Sequence, residues 1–267
     1  MAVTVDSQMA SSVAANVIGA TSLTYSFTNT AGTYLVVVGE LNGTTGVSSP
    51  TETVTYNGVS ATKYAASEIG WATHGGIEAC KGACFTLQSP ATGANNVVVT
   101  ASVSYNIISG AISVTGAATV NAESNGTTNF NDGSSTASPA LTLTSVKADS
   151  LCLAWYGCGS AIQTPTLNAG QVQSAFKDVD TNNGGNNFTM TRFTGSGTLT
   201  PTCTSSFADR WGDGAMEILA PASGGARMMS LMGVGLGVRL LAAAQLRRPH
   251  SRRRFFKSMC AMVLGPK

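Results

Sequence analysis

Histidine limits the acid–base and nucleophilic chemistry that this chain could perform. The 267 residues include two histidines, His74 and His250, and the second lies in a basic C-terminal segment. A Ser-His-Asp or Cys-His arrangement would therefore have to use His74. The segment YGCGSA places Cys158 near the position of a nucleophile, but it lacks the strand-to-helix turn that a nucleophile elbow requires. These residues argue against a nucleophilic hydrolase.

A zinc site could use His74, Cys80 and Cys84, spaced as H-x5-C-x3-C, with Glu78 as a fourth ligand. This spacing differs from that of zinc fingers, and no second cysteine pair accompanies it. In an extended strand the two cysteines would lie roughly 13 Å apart, beyond disulfide reach, so a bond between them would need a turn at 81–83. We favour ordinary thiols, reduced or bonded, over a metal site.

Calcium is the one cofactor that the sequence offers as an alternative. The segment DVDTNNGGNN places Asp178, Asp180 and Asn182 at alternate positions, as oxygen ligands of calcium often are. The EF-hand formula fails, because its sixth position is Asn183 and its twelfth is Thr189. A polar hairpin turn is the favoured interpretation, and a calcium-pinned loop of another kind is the alternative.

Two other sets of residues suggest carbohydrate chemistry. Glu40 and Glu217 would suit a glycosidase if their carboxyl groups lay about 5–10 Å apart, although one outward-facing Glu per strand is ordinary. Trp155 shares the parity of the leucines in LCLAWYG and is predicted to be a core residue. Trp71 and Trp211 lie in polar, glycine-rich stretches, where they could form flat sugar-binding platforms or simply seal loop ends.

The C-terminal segment differs sharply in charge from the rest of the chain. Residues 1–226 hold all 13 acidic residues and six basic ones, a net charge of −7, whereas the remainder has nine basic residues and none that is acidic. Its apolar runs, MMSLMGVGLGV and LLAAAQL, are divided by Arg239, and each is shorter than the roughly 20 residues of a bilayer span. We weigh three interpretations: a nucleic-acid or anionic-membrane-binding arm, a sorting tail, and a segment without function, which is favoured. The arm would use Arg247, Arg248, Arg252, Arg253 and Arg254.

The remaining pattern predicts an all-β fold. Only 10% of the residues are charged, and alternating runs such as SLTYSFT are separated by turn clusters rich in Gly, Asn and Ser. TYLVVVGEL has the length and apolarity of a central strand covered on both faces, and Asn57-Gly58 predicts a two-residue hairpin turn. Helical periodicity is absent before residue 226, so we predict a two-sheet antiparallel β-sandwich, jelly-roll-like, over residues 1–221. A linker at 222–226 and a non-β, basic and partly apolar tail at 227–267 follow it.

Several segments in order resemble a β-sandwich module that recurs in phage structural proteins and in hypothetical proteins of bacterial surfaces. The matching pieces are SLTYSFTNTAGTYLVVVGELNG, ETVTYNGVSATKYAAS, NNVVVTASVSYNIISGAISVTGAA, SPALTLTSVKADSLCLAWYG and GAMEILAP. The segment from Gly70 to Ala83 departs from the pattern, which usually has a shorter connection there. The resemblance implies the fold and a virion-surface or extracellular setting, and it carries no catalytic residue.

These observations lead to a functional expectation. The N-terminus has no basic region followed by an apolar stretch, so no secretory signal is predicted. We expect a non-enzymatic virion-associated structural protein, a capsid-decoration or tail-associated subunit that contacts other surface proteins or copies of itself. The first rival is a secreted bacterial carbohydrate-binding or adhesion module with a glycan partner. The second is a sandwich-fold glycoside hydrolase.

Overall fold

The fold consists of β-strands throughout the described part of the chain. The computed structural model describes residues 1–9, 14–43, 50–74, 78–130, 140–158, 166–168, 170–179, 186–204 and 211–222. Within these ranges no residue is helical, and no segment therefore meets the length and apolarity of a membrane-spanning helix. Residues Met1–Ala222 form one compact unit.

The larger of the two main sheets has eight strands, and all of its pairings are antiparallel. They are β1 (Thr4–Gln8), β2 (Ala15–Asn29), β3 (Tyr34–Gly43), β4 (Glu52–Tyr56), β5 (Val59–Ser60), β6 (Thr62–His74), β7 (Glu78–Gln88) and β8 (Gly93–Thr115). Their order is β5-β4-β8-β3-β7-β6, and β1 and β2 also pair with β8. The 23 residues of β8 therefore pair with four of the other seven strands of this sheet.

The smaller main sheet has five strands in the order β13-β14-β11-β17-β9, again antiparallel. These strands are β9 (Glu123–Phe130), β11 (Leu151–Cys158), β13 (Val172–Val179), β14 (Asn186–Phe193) and β17 (Trp211–Ile218). Two short pairs accompany it, β10 (Leu143–Val146) with β15 (Gly197–Leu199) and β12 (Thr166–Leu167) with β16 (Cys203–Thr204).

The large sheet folds over itself, so the molecule has three layers instead of two. The front layer comprises β4, β5 and the halves of β2 and β8 that pair through Ser22–Asn29 and residues 93–100. The middle layer comprises β3, β6, β7 and the second half of β8, and the five-stranded sheet is the back layer. The front–middle core joins Leu35 and Val37 to Val54 and Val97.

Two further cores complete the packing. In the middle–back core, Val36 and Val38 of β3 share a buried cluster with Leu153 and Trp155 of β11. On the opposite face of the back layer, an outer core buries Tyr156 with residues of the short strands. Since side chains alternate along a strand, both faces of β3 and β11 are covered, and the apolar residues that line them have almost no exposed surface.

The main sequence predictions of fold are confirmed. The chain is all-β with antiparallel sheets, and Tyr34 to Leu41 form a strand buried on both faces. Asn57 and Gly58 connect β4 to β5 with φ angles of 50° and 75°, as a two-residue hairpin of the mirror-image type requires. The folding of the large sheet into two layers was not predicted.

The cysteines of β7 do not form a bond with each other. β7 is extended from Glu78 to Gln88, without the turn at 81–83 that a Cys80–Cys84 disulfide would need. The side chain of Cys84 is fully buried. The described residues end at Ala222, so most of the predicted linker and the whole predicted tail lie outside them. The tail and its five arginines therefore remain predictions from sequence.

Candidate functional site

The first unusual polar group is Glu40, which ends the apolar run of β3. It has the parity of Val36 and Val38 and enters the middle–back core, where it has no exposed surface. It fits because Gly157 of β11 lies opposite. An added Cβ at Gly157 would come within 1.8 Å of a Glu40 carboxyl oxygen. The carboxyl group thus occupies the space that a side chain at position 157 would fill.

Glu52 repeats this arrangement on the other face of β3. It shares the parity of Val54 and Tyr56, so it enters the front–middle core at the start of β4. An added Cβ at Gly39 would lie 1.9 Å from Oε1 of Glu52. Glu52 is only 5% exposed, and neither of its carboxyl oxygens has a hydrogen-bond partner. Such a group is costly to bury in its charged form.

Asp213 is the third buried carboxyl group. It lies opposite Tyr156 in the β11–β17 register, on the face of the back layer that carries the outer core. Its side chain is fully buried, and both oxygens lack hydrogen-bond partners. Each of the three spaces beside β3 and β11 therefore contains at least one buried acid. We call Glu52, Glu40 and Asp213 the carboxyl column.

The protonation of the column follows from its burial. Desolvation, opposed by the nearby charge of Lys81 and reinforced by that of Glu40, raises the pKa of Glu52 to about 8. Desolvation, with a smaller contribution from Glu40, also raises the pKa of Asp213 well above its usual value. Glu52 is consequently a neutral acid at mildly acidic pH, and burial favours the neutral form of Asp213 as well.

A cluster of surface charges lies close to Glu52. Nζ of Lys63 is 2.7 Å and Nζ of Lys81 is 3.1 Å from the same oxygen of Glu68. These two ammonium groups, acting against partial burial, lower the pKa of Glu68. Glu68 is thus ionised and neutralises part of the positive charge, which leaves Glu52 without a counter-ion of its own in hydrogen-bonding contact.

Two further carboxyl groups, those of the buried Glu217 and the partly buried Glu123, are satisfied by hydrogen bonds. Glu217 accepts hydrogen bonds from Nδ2 of Asn125 and, at 2.7 Å, from the backbone N–H of Lys147. Glu123 accepts from the hydroxyls of Tyr34 and Thr86, the latter at 2.7 Å. Glu217, like Glu40, is thus buried and not an outward-facing strand residue.

Glu40 and Glu217 are not brought together as a glycosidase pair. Glu40 meets β11 at Gly157, whereas Glu217 pairs with Cys152, five residues along the same strand. At about 3.3 Å per residue, these positions are about 17 Å apart, beyond the 5–10 Å that two cooperating carboxyl groups require. Glu217 also lies on the opposite face of the sheet, beside the outer core. Among the described residues, no group of three His, Cys, Asp or Glu side chains could hold a metal ion.

The predicted site residues fall largely outside the described side chains. Trp71 lies within β6, and Trp211 is the first residue of β17. Asp178 of β13 pairs with Asn187 of β14. The side chains of these three predicted site residues are not among those described. Asp180 and Asn182 lie outside the described residues altogether. The sugar-platform and calcium hypotheses therefore remain predictions. Trp155 is fully buried, which confirms its assignment to the core.

One of the predicted zinc ligands, Cys84, already makes another contact. The Sγ of Cys84 is in the middle–back core, where it donates a hydrogen bond to Sδ of Met216 at 3.0 Å. Burial raises the pKa of this thiol, which disfavours the thiolate that zinc requires. The side chains of His74 and Cys80 are outside the described set.

The outer face of the front layer is the second candidate site. Its outward side chains carry no charge, and most are small hydroxyl residues; we call this surface the hydroxyl face. It contains Ser22, Thr24, Ser26 and Thr28 of β2, Asn96, Val98 and Thr100 of β8, and Thr53 and Thr55 of β4. Thr100 lies between Ser22 and Thr53 in the register, so hydroxyl groups form a row across three strands.

Glu52 and Asp213 were not singled out from the sequence. For Glu52 a signal existed, because ETVTY places it in phase with the inward Val54 and Tyr56. Asp213 carried no comparable signal, since WGDGAMEI reads as an ordinary polar strand start. Gly157, which makes room for Glu40, lies in a strand distant in sequence, and Gly39, which makes room for Glu52, lies in the opposite layer.

No protein-family model, curated protein or solved structure matches this chain. The resemblance to phage and bacterial surface modules accordingly remains a prediction.

Proposed function

We propose that this chain is a non-enzymatic structural protein of a virion surface, a capsid-decoration or tail-associated subunit that packs against copies of itself. The hydroxyl face is the observation that carries the proposal. Ser22, Thr24, Ser26 and Thr28 are all exposed on one strand, and no charged side chain interrupts them. Charged residues are depleted in the cores of protein interfaces, because their desolvation is costly.

The chemistry of this face suits repeated contact between identical subunits. Each hydroxyl group can donate and accept a hydrogen bond, so two copies of the same surface can satisfy one another. Strands lie about 4.8 Å apart and alternate residues about 6.7 Å apart, which gives the face a regular spacing. The burial of the carboxyl column also supports a structural role, since those acids are enclosed by the layers instead of being presented to a substrate.

Self-association of the full chain tests this proposal. We expect light scattering coupled to gel filtration to detect assemblies whose population rises with concentration. Thr24→Glu should weaken association by about tenfold or more, because it places an unpaired charge in the contact. Val120→Glu is the matched control: Val120 is 75% exposed in the connection after β8, away from the hydroxyl face.

A strictly monomeric chain, or equal effects of the two substitutions, would contradict the proposal. Glycan binding lost in Trp71→Ala or Trp211→Ala would instead support the carbohydrate-binding rival. The gene's neighbours separate the settings: terminase, portal and capsid genes support a virion, and genes for secreted carbohydrate-active enzymes support a bacterial surface.

A further inference from the structure

The hairpin formed by β4 and β5 is held in two different ways at its two ends. Near the turn, Tyr56 is fully buried, its hydroxyl donates to the backbone oxygen of Gly93 at 3.2 Å, and its ring packs edge-on against Phe27. At the other end stands Glu52, whose two buried oxygens have no hydrogen-bond partners. The tyrosine end is thus anchored by side-chain packing and hydrogen bonds. At the glutamate end the backbone is paired with β8, since Thr51 and Ser102 exchange two hydrogen bonds of 3.0 Å, and only the fit of the Glu52 side chain depends on its charge.

The surroundings of Glu52 explain this dependence. From β3 it faces Gly39, with Glu40 on the far side of that strand, and from β8 it faces the apolar Val99 and Ala101. Lys81 of β7 and Lys63 and Glu68 of β6 complete the charged groups around it. Both lysines already contact Glu68. A neutral carboxyl group fits this space, but a carboxylate would be drawn toward water.

We infer that the β4–β5 hairpin is a pH-operated flap, which the protonated Glu52 holds against the middle layer and which ionisation of Glu52 releases at its Glu52 end. Opening separates Thr51 from Ser102 and lets the carboxylate reach water, while Tyr56 retains the turn end. The device is a property of the single chain and does not depend on the proposed function.

Hydrogen exchange of the full chain at different pH values tests the flap. The pKa of Glu52 is about 8 in the closed flap and about 4.5, its ordinary value, in an exposed one. Linkage then predicts that the opening constant of residues 52–60, corrected for intrinsic exchange, rises roughly 100-fold between pH 6 and 9. Peptides covering Tyr34 to Leu41 of β3 should retain their protection.

Glu52→Gln should abolish this pH response, because the amide cannot ionise. Asp6→Asn is the control: hydrogen bonds from Ser113, Ala31, Ser7 and Thr30 outweigh partial desolvation and lower the pKa of Asp6, so this variant should keep the response. If Glu52→Gln fails to fold, Lys81→Met provides an independent test. Removing that cation raises the pKa of Glu52 further, so the response should level off at higher pH.

Three results would overturn the inference. They are an unchanged opening constant in the native chain, an unchanged response in Glu52→Gln or Lys81→Met, and an equal loss of protection in β3, which would indicate global unfolding.

Discussion

At the scale of single residues, glycines determine where this fold can bury acids. Gly39 and Gly157 leave out the side chains whose space Glu52 and Glu40 occupy. A buried carboxyl group is normally destabilising, so these positions are a local compromise between packing and polarity. For Glu52, the raised pKa means that the folded chain holds a proton that the unfolded chain releases between about pH 4.5 and 8. The stabilisation due to the protonated Glu52 is therefore complete below pH 4.5. As the pH rises towards 8 it is lost, and the free energy of unfolding falls by a few kcal/mol.

Gly157→Ala should destabilise the fold. The new Cβ would overlap the Glu40 carboxyl group, whose oxygens lie 1.8 and 1.9 Å from that position. Overpacking of this kind costs about 1–3 kcal/mol, which urea denaturation would measure. The same substitution in a Glu40→Ala background should cost less, because the obstructing group is gone. Equal costs in the two backgrounds would show that Glu40 is not the obstruction.

At the scale of elements, sequence patterns predicted individual strands well and their arrangement incompletely. The run TYLVVV predicts a strand covered on both faces, because its apolar residues do not alternate with polar ones. Asn57-Gly58 predicts its hairpin, because these residue types adopt the positive φ angles that the turn requires. These signals are local. The three-layer arrangement arises because β8 pairs with β4 through its first half and with β1 and β3 through its second, while β2 accompanies it through both. Nothing within its 23 residues marks the division, so only the pairing reveals it.

The β4–β5 turn allows a test at this scale. Gly58 has a φ of +75°, which a β-branched residue adopts only with strain. Gly58→Val should therefore lower the free energy of unfolding by about 1–2 kcal/mol. Val59→Thr changes a half-exposed neighbour without altering the turn, and it should stay within about 0.5 kcal/mol. A Gly58→Val variant as stable as the native chain would mean that the turn contributes nothing to the register.

At the scale of the whole molecule, charge divides the sequence where the strands end. Residues 1–226 carry a net charge of −7 and the remainder a net charge of +9. An acidic domain repels polyanions, so any affinity of the full chain for nucleic acid or anionic lipid should come from the basic segment.

Comparison of the full chain with a chain ending at Ala222 tests this division. We expect equal melting temperatures, because β17 completes the back layer at Ile218. DNA or liposome binding should be present only in the full chain and should weaken steeply as salt rises. Arg247, Arg248, Arg252, Arg253 and Arg254 are predicted to carry most of it. Unfolding of the shorter chain would mean that the later residues are structural, and absence of binding by either chain would discard the basic arm.

The position of β8 has a consequence for how the chain acquires its structure. The four strands β1 to β4 precede β8 in the chain, and all of them pair with it. In the pairing of β1, Thr4 lies opposite Thr115, which is synthesised 111 residues later. At about 5–20 residues per second, synthesis of that interval takes on the order of ten seconds. From the synthesis of β3 until that of β8, the apolar β3 is without its central partner, so nascent chains expose a strand edge that favours aggregation. Folding of this domain on the ribosome should accordingly be late and abrupt, beginning when β8 emerges.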